Sequence, residues 1–240
     1  MDLSLVIPVR NEAENIAPLI AEIRAALDGH CDYEVIYVDD GSSDATAQCL
    51  AEARRDMPRL RVLHHRCSCG QSTALLTGVR AARAEWIATL DGDGQNDPAD
   101  IHTLLAARDA GGGDPLLLLA GHRRQRRDST LKRLSSRIAN GVRSWLLSDH
   151  TPDTGCGLKL FARATFLALP HFDHMHRFLP ALVLRAGGRV QSVAVSHRPR
   201  QRGRSNYGLH NRLWVGIVDL FGVLWLRRRQ RLPVVSEDEK

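Results

Sequence analysis

From Leu3 to Ala120 the chain repeats one pattern: a short apolar run, a polar break, then an amphipathic stretch. The runs are LSLVIPV, YEVIYV, LRVLHH, WIATL and LLLLA. Ile16, Leu19, Ile20, Ile23 and Leu27 recur at helical spacing after the first run, and Leu75, Leu76 and Val79 mark a helix over 70–82. The turn-rich DDGSSD supplies serines and Asp44 as caps, and Asp97-Pro98 opens another helix in the favoured order of cap then proline. Strands that alternate with helices need crossovers. The alternation therefore predicts an α/β fold with a mainly parallel central sheet and helices on both faces.

Such sheets bind ligands outside the carboxyl ends of their strands. The residues there are Arg10-Asn11-Glu12, Asp39-Asp40-Gly41-Ser42 and Asp91-Gly92-Asp93, so acidic groups collect at one edge. No GxGxxG follows the first strand and no GxxxxGK[ST] occurs, which disfavours a dinucleotide fold and a P-loop. Two carboxylates flanking one glycine repel each other unless a cation sits between them. Their hard oxygens suit Mg2+ or Mn2+, and Gly92 allows a turn tight enough to aim both at one point. An ordinary solvated turn is the plainer alternative.

At 240 residues and 43% hydrophobic content the chain can bury a proper core without disulfides. Its five cysteines are an odd number, and Cys67-Ser-Cys69 matches no zinc spacing, so reduced thiols in a cytosolic setting are expected. The opening MDLSLVIPVRNEAE has no basic stretch leading into a long apolar one, so no signal peptide is read there and a cytoplasmic location is expected. The formal charge of +6 is clustered: Arg123, Arg124, Arg126, Arg127, Lys132, Arg133 and Arg137; Arg198, Arg200, Arg202 and Arg204; Arg227 to Arg229 with Arg231. Such clusters attract phosphate. Nucleic acid is not an expected partner, because 5% aromatic residues offer little stacking surface and no binding motif appears. A nucleotidyltransferase would open with a glycine-rich basic signature that this chain lacks.

The second half is less regular. A helix is expected through Leu131, Leu134, Ile138, Val142, Trp145 and Leu146, then a glycine-broken DTGCGLKLF, a short helix, HMHRFLPALVLRAGG and a strand RVQSVAV. His174 and His176 stand two apart, on different faces of a helix, and are read as hydrogen-bonding groups rather than a metal pair. The apolar stretch from Trp214 to Leu226 would rise only about 20 Å against a hydrocarbon core of about 30 Å. It is too short to span and fits either an interfacial helix beside the following arginines or a core-packing helix.

The stretches LSLVIPVRNEAENI, YEVIYVDDGSSDAT, GQSTALLTGVRAA, WIATLDGDGQNDP, AGHR and DTGCGLKLF together resemble the family 2 glycosyltransferases of GT-A fold, and within them the dolichol-phosphate mannose synthase-like polyprenyl-phosphate sugar transferases. The resemblance covers most of residues 3–162. It implies a GT-A domain over 1–205, followed over 206–240 by a loop and an amphipathic helix with a basic tail that associates with membrane or a partner. It also implies transfer of a sugar, with inversion, from a GDP- or UDP-sugar to a polyprenyl phosphate, with the protein peripheral at the inner membrane face.

By position, Pro8, Val9, Glu12, Asp40 and Gly92 match nucleotide-sugar-binding positions. Asp91 and Asp93 match the D-x-D pair that meets the diphosphate through metal, with Gln95 completing the metal shell. Arg123 and Arg133, counted with the two aspartates as catalytic, would hold the acceptor phosphate together with Arg204, Ser205 and Tyr207. Relatives often carry Lys where Asn206 stands, and the loop with Arg124, Arg126 and Arg127 is more basic than usual. A phosphate acceptor is mostly a dianion at neutral pH, so no strict general base is expected, and Asp153, Asp173 and His176 are read as loop and capping residues. The alternatives are transfer to a non-lipid acceptor, or a catalytically silent nucleotide-sugar-binding membrane partner. An integral membrane partner or self-association is a further expected option.

Overall fold

The computed structural model describes residues 1–123, 141, 143, 144, 146–149, 151–200, 202 and 209–229. Its centre is a seven-stranded sheet made of β1 (Leu3–Val9), β2 (Tyr33–Asp39), β3 (Leu60–His64), β4 (Trp86–Thr89), β5 (Leu117–Arg123), β6 (Lys159–Ala162) and β7 (Arg189–Val195), in the order β3-β2-β1-β4-β6-β5-β7. β2 and β4 pair in parallel with β1, β3 with β2, and β7 with β5. Only β6 runs antiparallel, against both β4 and β5.

Period-2 alternation sorts β1 and β2 between two cores. Leu3, Leu5, Ile7 and Val9, with Tyr33, Val35 and Tyr37, face α1 (Ala13–Leu27), α2 (Thr46–Asp56) and α4 (Ile101–Ala110). Val6, Ile36 and Val38 face the other way, onto α3 (Gln71–Ala81), α5 (Arg163–Ala168) and α6 (Leu179–Arg185). Both faces are covered, so β2 is buried along its whole length.

β5 continues past the expected Ala120 to Arg123. β6 was not expected. It is short, and the glycines before it mask the apolar pattern. Its direction matters for the site: an antiparallel strand begins where its parallel neighbours end. Pairing of Thr89 with Lys159 therefore delivers the segment 153–158 to the carboxyl end of β4.

The C-terminal helix α7 (Leu209–Arg229) is longer than the expected apolar stretch. None of the described helices is long and apolar enough to cross a membrane. Val223 is buried in the same core as α6, Leu220 and Leu224 pack beside it, and Arg185 Nε donates to the Leu226 carbonyl at 3.0 Å. The helix expected over 131–146 lies mostly outside the described residues.

Candidate functional site

The polar edge predicted from the strand exits is present, and side chains stitch its loops together. After β1, Asn11 takes a left-handed backbone (φ 55), and its Oδ1 accepts from the Ser43 N–H at 2.8 Å. The Asn11 N–H donates to Ser42 Oγ at 3.0 Å and the Glu12 N–H to Thr46 Oγ1 at 2.9 Å. Asp44 accepts the Thr46 N–H at 3.0 Å, so DDGSSD both starts α2 and anchors the β1 exit.

Asp91 and Asp93 follow β4. Asp91 Oδ1 accepts from Gln71 Nε2, at the start of α3, at 2.9 Å. Asp93 Oδ1 accepts the Gln95 N–H at 3.1 Å. Gly92 serves close packing more than a tight turn, since a Cβ there would lie 2.3 Å from Val9 Cγ1. Gly157, brought in by β6, packs against Asp91 so closely that a Cβ would sit 2.2 Å from its carboxylate.

Arginines from the segment after β7 close over this edge. Arg198 pairs with both oxygens of Glu22, at 3.0 and 2.7 Å, and the Gln95 side chain donates to the Arg198 carbonyl at 3.4 Å. Arg200 pairs with Glu12 and lies 4.0 Å from Asp93 Oδ2. Burial pushes the Glu12 carboxyl above its ordinary pKa although Arg200 and Asn15 oppose the shift.

The fit of a divalent cation can be judged from charge. Burial first, and then the charge of Asp93, push the Asp91 carboxyl up to about 6, with Lys159, Arg123 and Gln71 acting in the opposite sense. Burial and the mutual repulsion of the two carboxylates outweigh the nearby cations at Asp91, and hard carboxylate oxygens are the donor set that Mg2+ or Mn2+ takes. Asp91 and Asp93 fit such an ion. Gln95 is near, with its amide turned to Arg198.

The other expected residues are placed as follows. Val9 has its side chain in the core and its carbonyl on the Asp40 N–H at 2.9 Å, with Pro8 beside it on β1. Asp40 accepts four donors from the β3–α3 turn: His65 Nδ1 at 2.7 Å, Ser68 Oγ at 2.7 Å, and the Cys69 and Gly70 N–H groups at 2.8 and 2.9 Å. Burial would raise its pKa, but these donors hold it below the ordinary value. Arg123 makes a bidentate pair with Asp153 at 2.6 and 2.7 Å. Arg133, Arg204, Ser205 and Tyr207 lie outside the described residues.

Besides Gly157, three participants escaped the sequence reading. Gln71 is the first residue of α3 and bonds Asp91. Lys159 is 4% exposed, donates to the Cys156 carbonyl and acts on Asp91; burial lowers its pKa. A lone lysine inside the apolar LKLF was the available signal. Arg200 was counted only as one of a basic cluster. His176 is inside, its Nδ1 2.8 Å from Ser72 Oγ, and burial holds its pKa well below the ordinary value. His174 pairs with Asp219 of α7 at 3.2 Å.

The glycosyl transferase family 2 profile matches residues 4–166. Dodecaprenyl-phosphate galacturonate synthase of Rhizobium johnstonii is 35% identical over 241 residues, covering 97% of this chain and 69% of that protein. Undecaprenyl-phosphate 4-deoxy-4-formamido-L-arabinose transferase of Edwardsiella ictaluri is 33% identical over 209 residues, covering 86% of this chain but only 63% of that protein. Among solved structures, glucosyl-3-phosphoglycerate synthase from Mycobacterium tuberculosis, in complex with Mn2+, UDP and glucosyl-3-phosphoglycerate, has a TM-score of 0.66 at 18% identity over 94% of this chain and 79% of that one. That likeness shows the fold, in agreement with the GT-A expectation. With the profile spanning more than half of its length and a 35%-identical relative along 97% of it, the chain belongs to glycosyl transferase family 2.

Proposed function

We propose that this protein transfers a sugar from a nucleotide-diphosphate sugar to the phosphate of a polyprenyl phosphate, with inversion, at a membrane surface. The observation that carries this reading is the Asp91–Asp93 pair at the carboxyl edge of the sheet, where burial and the charge of Asp93 push Asp91 up to about 6. The names of the relatives support the lipid phosphate as acceptor.

Asp91 and Asp93 would hold a divalent cation, which when bound supplies positive charge to the leaving diphosphate. Gln71 orients Asp91 through its 2.9 Å hydrogen bond. Gly157 leaves room for the Asp91 carboxylate, and Lys159 lies beside it. Pro8, Val9, Glu12 and Asp40 would frame the nucleoside, Asp40 by shaping the β3–α3 turn. The acceptor needs no base, because a phosphate monoester with a second pKa of about 6 is already mostly a dianion at neutral pH. Arg123, Arg133, Arg204, Ser205 and Tyr207 are the proposed acceptor-phosphate residues. Incubation with undecaprenyl phosphate, Mn2+ and a panel of labelled UDP- and GDP-sugars should move label into the organic extract with one donor. Label released as free sugar, or retained on a water-soluble acceptor, would overturn the lipid reading.

Membrane contact is proposed for α7. Among the described residues, five of the seven exposed large apolar side chains lie on it, and Val218, Phe221 and Trp225, at 66, 62 and 58% exposure, form one stripe at helical spacing. Arg227, Arg228 and Arg229 follow, and each arginine near an anionic leaflet contributes about 1 kcal/mol. α7 thus packs inward through Val223 while offering an apolar outer face, combining the two roles the sequence left open. Phe221→Glu with Trp225→Glu should weaken sedimentation with phosphatidylglycerol vesicles roughly tenfold or more at unchanged Tm, as apolar burial drives interfacial binding. Undiminished sedimentation would remove this contact.

A further inference from the structure

The turn between β3 and α3 reads His64-His65-Arg66-Cys67-Ser68-Cys69-Gly70, a histidine- and cysteine-rich tract. Its spacing suggested no metal site. The fold adds the missing donor, because one ligand atom each from Asp40, His65 and Cys69 lies within 4.8 Å of the other two. Both Cys67 and Cys69 are free and exposed, and Cys69 Sγ lies 3.4 Å from the Cys67 carbonyl.

The arrangement is built rather than incidental. His65 Nε2 is held by Thr77 Oγ1 at 3.0 Å, which fixes the ring with Nδ1 toward Asp40. Tying down the far nitrogen is how proteins orient a metal-ligating histidine. Asp40 is itself locked by backbone N–H groups of Cys69 and Gly70. Gly41 lies under the Cys67–Ser68 backbone, where a Cβ would come within 2.7 Å, so the tract is pinned against the β2 exit.

We propose that Asp40, His65 and Cys69, with a water as fourth donor, form a site for a thiophilic cation of the Zn2+ kind, separate from Asp91 and Asp93. Mixed sulfur, nitrogen and carboxylate donors in a tetrahedral shell suit Zn2+, with bonds of about 2.0–2.3 Å. The all-oxygen pair at Asp91 and Asp93 suits a hard ion, so ligand softness keeps the two ions apart. On binding, the Cys69 thiol releases its proton to solvent and its sulfur lone pair goes to the metal. The proton on His65 Nδ1 leaves to solvent, and Nε2 takes one up and keeps it, donating a hydrogen bond to Thr77 Oγ1, so the ring stays neutral. Occupation would stiffen the turn that leads into Gln71 and that Asp40 shapes around the nucleoside. Zn2+ is thereby an antagonist of the donor, a consequence that rests on the donor site proposed above, whereas the metal site itself does not.

Titration of the full chain with Co2+ in a non-thiol reductant tests the site. One equivalent should produce a thiolate-to-cobalt charge-transfer band that Zn2+ displaces, and Asp93→Asn should leave it unchanged. Cys69→Ser should abolish the band and weaken Zn2+ at least about tenfold, and Cys67→Ser should leave both nearly unchanged. These cysteines are exposed, so the variants should keep the parental Tm. No band, a band that survives Cys69→Ser, or uptake lost in Asp93→Asn would overturn the site. In the same preparations Zn2+ should weaken UDP or GDP binding by the parental protein and not by Cys69→Ser. Equal nucleotide affinity with and without bound Zn2+ would sink the antagonism and leave the metal site standing.

Discussion

Asp93→Asn is expected to slow sugar transfer to polyprenyl phosphate by on the order of 10³-fold, about 4 kcal/mol of transition-state stabilisation, with Tm nearly unchanged. The fold should tolerate the change. Asp93 is part-exposed, and the bond it accepts from the Gln95 N–H can be accepted equally by an asparagine oxygen. What disappears is half of the charge that would attract a divalent ion. Rate measured against Mn2+ concentration provides the check, and parental activity in Asp93→Asn would mean that no metal works at this pair.

The same electrostatics predict a pH signature in the parental protein. Asp91 is raised from 3.8 to about 6, so the folded state binds this proton more tightly than the unfolded chain does. Stability from this group is complete below about pH 4 and is lost as pH rises through about 6, to the extent of roughly 3 kcal/mol without metal. A bound cation offsets that loss only where Asp91 is ionised. The gain in Tm on adding Mn2+ should therefore be larger at pH 7.5 than at pH 5, and an equal gain at both would contradict the assignment.

Arg123→Ala should cost about 3 kcal/mol of stability or more, because it removes the bidentate partner of the Asp153 carboxylate, whose side chain is 6% exposed. For a chain of this size that is a fall of roughly 6–20 °C in Tm. Burial opposes the charge of Arg123, yet its bonds to Asp153 hold the guanidinium above its ordinary pKa, so Arg123 keeps its charge. Adding Asp153→Asn to Arg123→Ala should recover much of the loss, since a neutral amide is far cheaper to leave in that place than a carboxylate. Urea denaturation of the two single variants and the double closes the cycle. If Arg123 served the acceptor phosphate and nothing else, Arg123→Ala would lose activity at parental stability.

Some of the site could be read before any tertiary contact was known. Asp91 and Asp93 end an apolar run, so their position follows from the strand alone, and Asp40 and Glu12 follow from β2 and β1 in the same way. Arg123 was also found, as the basic residue closing AGHR. Asp153 was named only as a loop or capping residue, and its pairing with Arg123 was missed, because thirty residues separate them and nothing periodic connects them. Gln71, Lys159 and Gly157 were missed for a related reason. Each reaches Asp91 from a different element, and one of those elements is the antiparallel β6, whose direction no local pattern records.

Sequence alone determined the alternation of β1 to β5 with α1 to α4, and with it the parallel sheet and the acidic edge, since hydrophobic periodicity is a property of neighbours along the chain. Tertiary structure alone decided where β6 inserts, which cation meets which carboxylate, and that His65, Cys69 and Asp40 converge on one point. Those are pairings between residues far apart in the chain, set by strand order and by the requirement that buried charges and donors find partners.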